Sequence, residues 1–234
     1  MSKRPARIIG LSFIIGMLIF GIYFAKSRQE PKTLRIVGYA SKQFVSDMVK
    51  WNLTVQKTAD VNSLSAAYKK LASDVNDFKA YIVTNGIPAK EISIQPITSN
   101  PMYDNYGHIT SYNLTQNIFV ISNQLDNIEK LSLNPDFFAE RGLLLQMSNL
   151  SYLYTKLPEL KKQLLGEATS DALKRAKEVS SAAKVKLSKM REAKAGVFQI
   201  TEPYSTDVSD YGIYNTSTRD KSISVTITAV FGLK

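Results

Sequence analysis

Between residues 157 and 202 apolar side chains recur at Leu160, Leu164, Ala168, Ala172, Ala176, Val179, Ala183 and Leu187. All seven successive spacings are three or four residues, which places the eight side chains on one stripe of an α-helix. Four of the eight are Ala. This face can therefore approach its partner more closely than the roughly 8–10 Å usual between packed helix axes. A helix of this kind has to lie flat on a sheet or on a second helix, and the rest of the chain must supply that surface. A basic ramp follows, and then a strand over 196–201.

At 234 residues the chain is long enough to bury a substantial core in one large domain or two small ones. A hydrophobic content of 44% with 21% charged residues is that of a globular protein. The absence of Cys excludes disulfides, thiolate metal sites, a Cys nucleophile and a lipid-bearing Cys. A single His gives a His-based triad or a His-rich metal site almost nothing to work with. No cofactor and no metal are expected.

The segment 8–25 is apolar apart from Ser12 and Tyr23, and Lys3, Arg4 and Arg7 precede it. Its 18 residues would span about 27 Å as a helix, close to a bilayer core of about 30 Å. A cleavage site before Lys26 would offer Tyr23 and Ala25, and Tyr is too bulky for that position. The expectation is an uncleaved signal anchor, with the short tail inside and the body exported.

From Leu34 the pattern is that of strands, at 34–38 and within 44–59. Leu64, Tyr68, Leu71, Val75, Phe78 and Ile82 then mark an amphipathic helix, with Asp60 or Asn62 to cap it and Asn85-Gly86 to stop it. Strands are expected at 91–98 and 109–121, forming a hairpin whose tip is rich in turn residues. A shorter helix over 126–142 interrupted at Pro135, a strand over 143–154, the Ala-spaced helix, and strands over 196–201 and 222–233 complete the chain. The order β-β-α-β-β-α-β-α-β-β predicts an α+β fold. It comprises an antiparallel-rich sheet with helices packed on one face, preceded by a single N-terminal transmembrane helix.

Laid out in this way the chain resembles the SIMPL-domain family of bacterial envelope proteins. The residues that carry the likeness are Ile36-Val37-Gly38-Tyr39-Ala40, Asn85-Gly86-Ile87 with Glu91-Ile92, Pro101-x-Tyr103, Ser111-Tyr112, Val197 to Glu202, and Val225 to Thr228. Two departures stand out: Tyr39-Ala40 replaces the family's second Gly, and 184–194 is more basic and less Gly-rich than usual. The resemblance implies an exported protein without an established catalytic site, self-assembling in some members. The expected organisation is a cytoplasmic tail 1–7, a transmembrane signal anchor 8–25, a linker 26–33 and a SIMPL-like α+β domain 34–234. The expected location is the bacterial inner membrane, single-pass, with the C-terminal domain in the periplasm.

Two surfaces are candidates for binding. Tyr103, Asp104, Asn105, Tyr106 and His108 form an aromatic, polar hairpin tip suited to sugar or peptide contacts. Lys174, Arg175, Lys177, Lys184, Lys186, Lys189, Arg191 and Lys194 face only Glu178 and Glu192 in the same stretch, a local basic surface suited to an anionic glycan or lipid. No aromatic residue interrupts it, which argues against nucleic acid. Glu167 and Asp171 sit at i,i+4 on the long helix beside Lys174 and Arg175 and read as solvated ion pairing. No phosphate loop or nucleophile elbow is present, and no catalytic residue is assigned. The expected function is a non-catalytic structural or assembly role in the cell envelope by a homo-oligomer anchored through 8–25. The alternative is a binding module for an anionic envelope component or a partner protein.

Overall fold

A computed structural model describes residues 4–27 and 32–234. Two compact units are present: Ala40–Glu167 with Val197–Thr226, and Met1–Tyr39 with Ala168–Gly196 and Ile227–Lys234.

The first unit is built on a sheet ordered β3-β5-β2-β6, with β4 also on β5. Its strands are β2 (Met48–Asp60), β3 (Ile92–Ile94), β4 (Thr98–Tyr103), β5 (Ile109–Ser122) and β6 (Leu144–Leu153), and every pairing is antiparallel. Val49, Trp51, Leu53, Val55 and Ala59 alternate along β2 and are buried on one face. Helix α2 (Leu64–Thr84) places Leu71, Val75, Phe78 and Ile82 in the same core, with Trp51 and Phe78 meeting edge to face at 5.9 Å. Helices α3 (Leu125–Ser132) and α4 (Asp136–Ala139) add Ile128, Leu131 and Phe138, on either side of Pro135. The expected single strand over 91–98 is instead two, because Pro96 cannot donate to the ladder and 95–97 carries no strand.

Helix α2 ends as its sequence indicates. Gly86 adopts φ 93°, its N–H donates to the Val83 carbonyl and that of Ile87 to the Ile82 carbonyl, a Schellman motif. Its start differs, since neither Asp60 nor Asn62 caps it. A short 3₁₀ turn, Val61–Ser63, leads in without a side-chain cap.

The second sheet is ordered β1-β10-β8-β9, with β7 also on β10. Its strands are β1 (Thr33–Val45), β7 (Leu187–Ala195), β8 (Gln199–Thr201), β9 (Ile213–Tyr214) and β10 (Asp220–Leu233). Leu233 N–H donates to the Lys32 carbonyl and Ser46 N–H to that of Arg219, so β1 and β10 run antiparallel. Only β8 and β9 are parallel among the described pairings.

The expected Ala-spaced helix is α5 (Leu157–Ala182). Ala168, Ala172 and Ala176 are fully buried. Gly38 of β1 faces this stripe so closely that a Cβ there would lie 2.2 Å from the Ala168 carbonyl oxygen and 2.6 Å from the Ala172 nitrogen. The helix therefore packs flat on a sheet, as its small residues require. The stripe is corrected at its end: it runs through Ser180, while Val179 and Ala183 are exposed and Leu187 lies in a strand. The helix stops at a second Schellman motif, with Lys184 in the left-handed region (φ 53°), its N–H on the Ser181 carbonyl and that of Val185 on the Ser180 carbonyl. Much of the expected basic ramp is β7, paired antiparallel with β10 from Ile227 to Leu233.

Helix α1 (Arg4–Ser27) contains the whole of the segment 8–25. Its described side chains run from Phe13 to Phe24 and are exposed throughout. Among the described residues no helix is long and apolar enough to cross a membrane. The remaining side chains of segment 8–25 lie outside the described ones, and so do residues 1–3 of the expected tail and 28–31 of the linker.

Two substitutions test this packing by urea unfolding. Gly38→Ala forces the α5 backbone away from β1 and is expected to cost about 3 kcal/mol, the upper range for overpacking. Lys184→Gly relieves a left-handed non-glycine residue and is expected to stabilise the fold by about 1 kcal/mol.

Candidate functional site

The hairpin tip is held by its own chemistry. Strands β4 and β5 bring Tyr103 opposite Ile109, leaving 104–108 to turn the chain. The Asp104 Oδ1 accepts the Tyr106 N–H at 2.8 Å and the His108 N–H at 2.9 Å, and its Oδ2 lies 3.1 Å from His108 Nδ1. Gly107 takes φ 86° to close the turn. The His108 N–H, followed by smaller contributions from Tyr106 and the His108 ring, holds the Asp104 carboxyl below the usual carboxylate range. Asp104 thus orders the tip, and Tyr103, Tyr106 and His108 project into solvent. Asn105 is exposed between them. This is a rigid display of two phenols and an imidazole, with no acid left to work on a ligand.

The eight basic residues are all exposed. Lys174, Arg175 and Lys177 lie on α5, Lys184 and Lys186 in the turn after it, and Lys189, Arg191 and Lys194 on β7. Arg175 is engaged, its Nε 2.8 Å from Asp171. Register shifts opposite Val230–Phe231 and Phe231–Leu233 bulge β7 around Arg191 and again near Ser188. A Cβ on Gly232 would lie 3.0 Å from the Arg191 Nε, so this guanidinium lies over the β10 backbone. The residues are continuous in sequence but distributed over three kinds of backbone.

Asp171 has a use that its spacing does not reveal. Its Oδ2 accepts the Tyr39 backbone N–H at 2.8 Å, and that bond, ahead of Arg175 and Lys174, lowers its pKa. Lys32 and Ser46 both bond to β10, so the odd-numbered residues of β1 turn their N–H groups to the free edge. Asp171 therefore occupies one donor of that edge. Glu167 accepts instead from Gln163 Nε2 at 2.8 Å.

Tertiary structure adds two features. Lys161, Phe198, Tyr211 and Tyr214 line an open groove of about 390 Å³, with the Lys161 Nζ 5.1 Å from the Phe198 ring centre. Gly212 (φ 85°) allows the loop to close here, since a Cβ would meet the Phe198 carbonyl oxygen at 2.8 Å. Tyr211 is 97% exposed at the rim. The sequence signal was the repeated Tyr in a polar loop, which alternation-based reading passes over. The second feature is the buried Lys221, whose Nζ donates to the carbonyls of Asn215 (2.7 Å) and Thr218 (2.5 Å). Desolvation lowers its pKa and the charge of Glu202 partly opposes this.

Arg219 reaches Asp126 and lies 3.6 Å from Glu129. Burial first, then its hydrogen bond to Glu129, pushes the Tyr152 phenol up to about 12. These groups, with the Tyr152 N–H on the Thr216 carbonyl, tie the 215–219 segment to α3 and β6. Among the described residues no three His, Asp or Glu converge as a metal site would require.

Asp104→Ala is expected to speed amide exchange at Tyr106 and His108 while the central amides of β5 keep their protection. Because the carboxyl is depressed when folded, the ordering is present above its unfolded value and lost as pH falls through the lower folded one. Exchange measured across that acid window checks it. Unchanged exchange in the variant would mean that the turn is held by its backbone alone.

A family model described as SIMPL, protein of unknown function (DUF541), matches residues 34–231. No curated protein matches the chain.

Proposed function

The chain belongs to the SIMPL family, and on that premise we propose that it is a membrane-anchored, periplasm-facing envelope protein with a non-catalytic structural role exercised by self-association. The observation that carries the anchoring is helix α1. Phe13, Ile14, Ile15, Met17, Leu18, Ile19, Phe20, Ile22, Tyr23 and Phe24 are all exposed, in a stretch without one charged residue. A helix that is apolar all round needs lipid or protein on every side. In the sequence, the apolar segment 8–25 would measure about 27 Å as a helix, close to a bilayer core of about 30 Å. Lys3, Arg4 and Arg7 before it favour a cytoplasmic N-terminus.

The chemistry supports a role without catalysis. Asp104, Asp171, Arg219 and Lys221, each displaced from its ordinary titration, serve backbone groups or opposite charges within the fold. A second reading, a module binding an anionic envelope component, draws on the eight exposed basic side chains and on the Lys161–Phe198 groove.

Fractionation separates the two readings. The full chain is expected to stay with membranes through alkaline extraction, and a chain lacking residues 1–27 to be released. Release of the full chain by alkali would overturn the anchor. If the shortened chain stays bound and reversing Lys184, Lys186 and Lys189 to Glu frees it, the second reading replaces the first.

A further inference from the structure

A sheet edge left open presents unpaired N–H and C=O groups to any other strand, so proteins guard their edges. On β1, Asp171 takes the outward Tyr39 N–H. Strand β7 carries Lys189, Arg191, Glu192 and Lys194 and is twice irregular. Strands β3 and β9 are three and two residues long, and β4 contains Pro101, which has no N–H to offer.

Strand β6 is different. It is ten residues long, Leu-Leu-Gln-Met-Ser-Asn-Leu-Ser-Tyr-Leu, without a charge, a Pro or a Gly. It ends the order β3-β5-β2-β6 and, among the described residues, pairs as a strand with β2 alone. At its C-terminal end the Tyr152 N–H donates to the Thr216 carbonyl and the Leu153 carbonyl accepts from Asp47, so even-numbered residues here face the outer edge. Ser148 and Leu150 have that parity, and among the described residues nothing pairs with their main-chain groups. The one irregularity, opposite Thr54–Val55, lies at Gln146, leaving Met147–Ser151 regular. Leu144 and Met147 are exposed beside it.

We infer that the free edge of β6 is where two copies of this chain pair, antiparallel about a two-fold axis. This rests on the self-association reading and names its interface. The occupant follows from self-complementarity. Leu145 and Leu150 lie towards opposite ends of the open stretch, both packed against the core, and a two-fold axis brings each opposite the other copy's counterpart end. Between them Gln146 and Asn149 are uncharged hydrogen-bonding groups, and the Ser148 Oγ already accepts the Trp51 Nε1–H at 2.9 Å, so a second copy meets no like charge. Anchoring both copies in one membrane raises their effective concentration, which lets a narrow interface suffice.

The chain has no Cys, so single introduced thiols report cleanly. The full chain in detergent micelles would carry Met147→Cys, Ser148→Cys or Asn149→Cys, with Lys189→Cys on β7 as the comparison. Mild oxidation is expected to yield a covalent dimer at least ten-fold faster for the β6 thiols. Asn149→Lys is expected to convert the dimer measured by light scattering into a monomer with unchanged circular dichroism. If it does not fold, the cross-linking rates decide. A dimer whose β6 thiols cross-link no faster than the β7 thiol overturns the interface while self-association stands. A wild-type monomer at every concentration overturns both.

Discussion

The backbone of α5 lies against β1 at Gly38, and the smaller unit depends on that approach. A Cβ at 38 would stand 2.7 Å from the Ala172 Cβ as well as inside contact distance of the helix backbone. Small residues on both partners are therefore one requirement expressed twice. Ala buries little apolar area per residue, so such a face gains chiefly from dense packing, where many atom pairs sit near optimal separation. The approach also delivers Asp171, the neighbour of Ala172, within hydrogen-bond reach of the Tyr39 N–H. A helix held farther off by Leu side chains could not satisfy that edge donor.

Polar groups inside the fold serve mainly to hold irregular backbone. The stretch from Glu202 to Arg219 contains only the two-residue strand β9. Gln199 closes it by bonding Ser209 through both ends of its amide, Asn215 bonds Glu202, and the Lys221 Nζ takes two carbonyls from below. A buried amine is costly unless its donors are satisfied, and these two carbonyls satisfy it. The result is a loop fixed at many points that displays Tyr204 and Tyr211 almost fully to solvent. Exposed rings on a braced loop cost little ordering entropy when they meet a partner.

Charge in this chain is arranged by element. The basic stretch leaves α5 along its solvent face, passes a left-handed Lys184, and continues along the bulged β7. On a strand edge those side chains oppose pairing with another strand, a use distinct from attracting an anion, and the two uses are compatible. The hairpin tip follows similar economy: Asp104 is taken up by three groups of its own turn, and only the aromatic and imidazole side chains remain for contact.

Local periodicity was enough to read α2, α3 with its break at Pro135, the long strands β2, β5 and β10, and the Ala stripe through Ala176. These are stretches where side-chain spacing and turn chemistry agree. The stop of α2 was legible because Gly86 marks it; the stop of α5 was not, because Lys184 occupies the same left-handed position without the residue that advertises it. Strand β7 stayed hidden for a related reason, since its bulges break alternation and its edge position tolerates charge on both faces. The candidate tip was readable as a turn, but that Asp104 closes it, that Asp171 serves β1, and that Phe198 and Tyr211 share a groove depend on contacts between residues distant in sequence or on the path of a loop. Sequence determined those helices and strands whose side chains keep a regular period, because that period is set by the chain itself. Only the tertiary structure decided which polar groups are consumed and which edges stay open, because a hydrogen bond is satisfied by whatever the fold brings within about 3 Å.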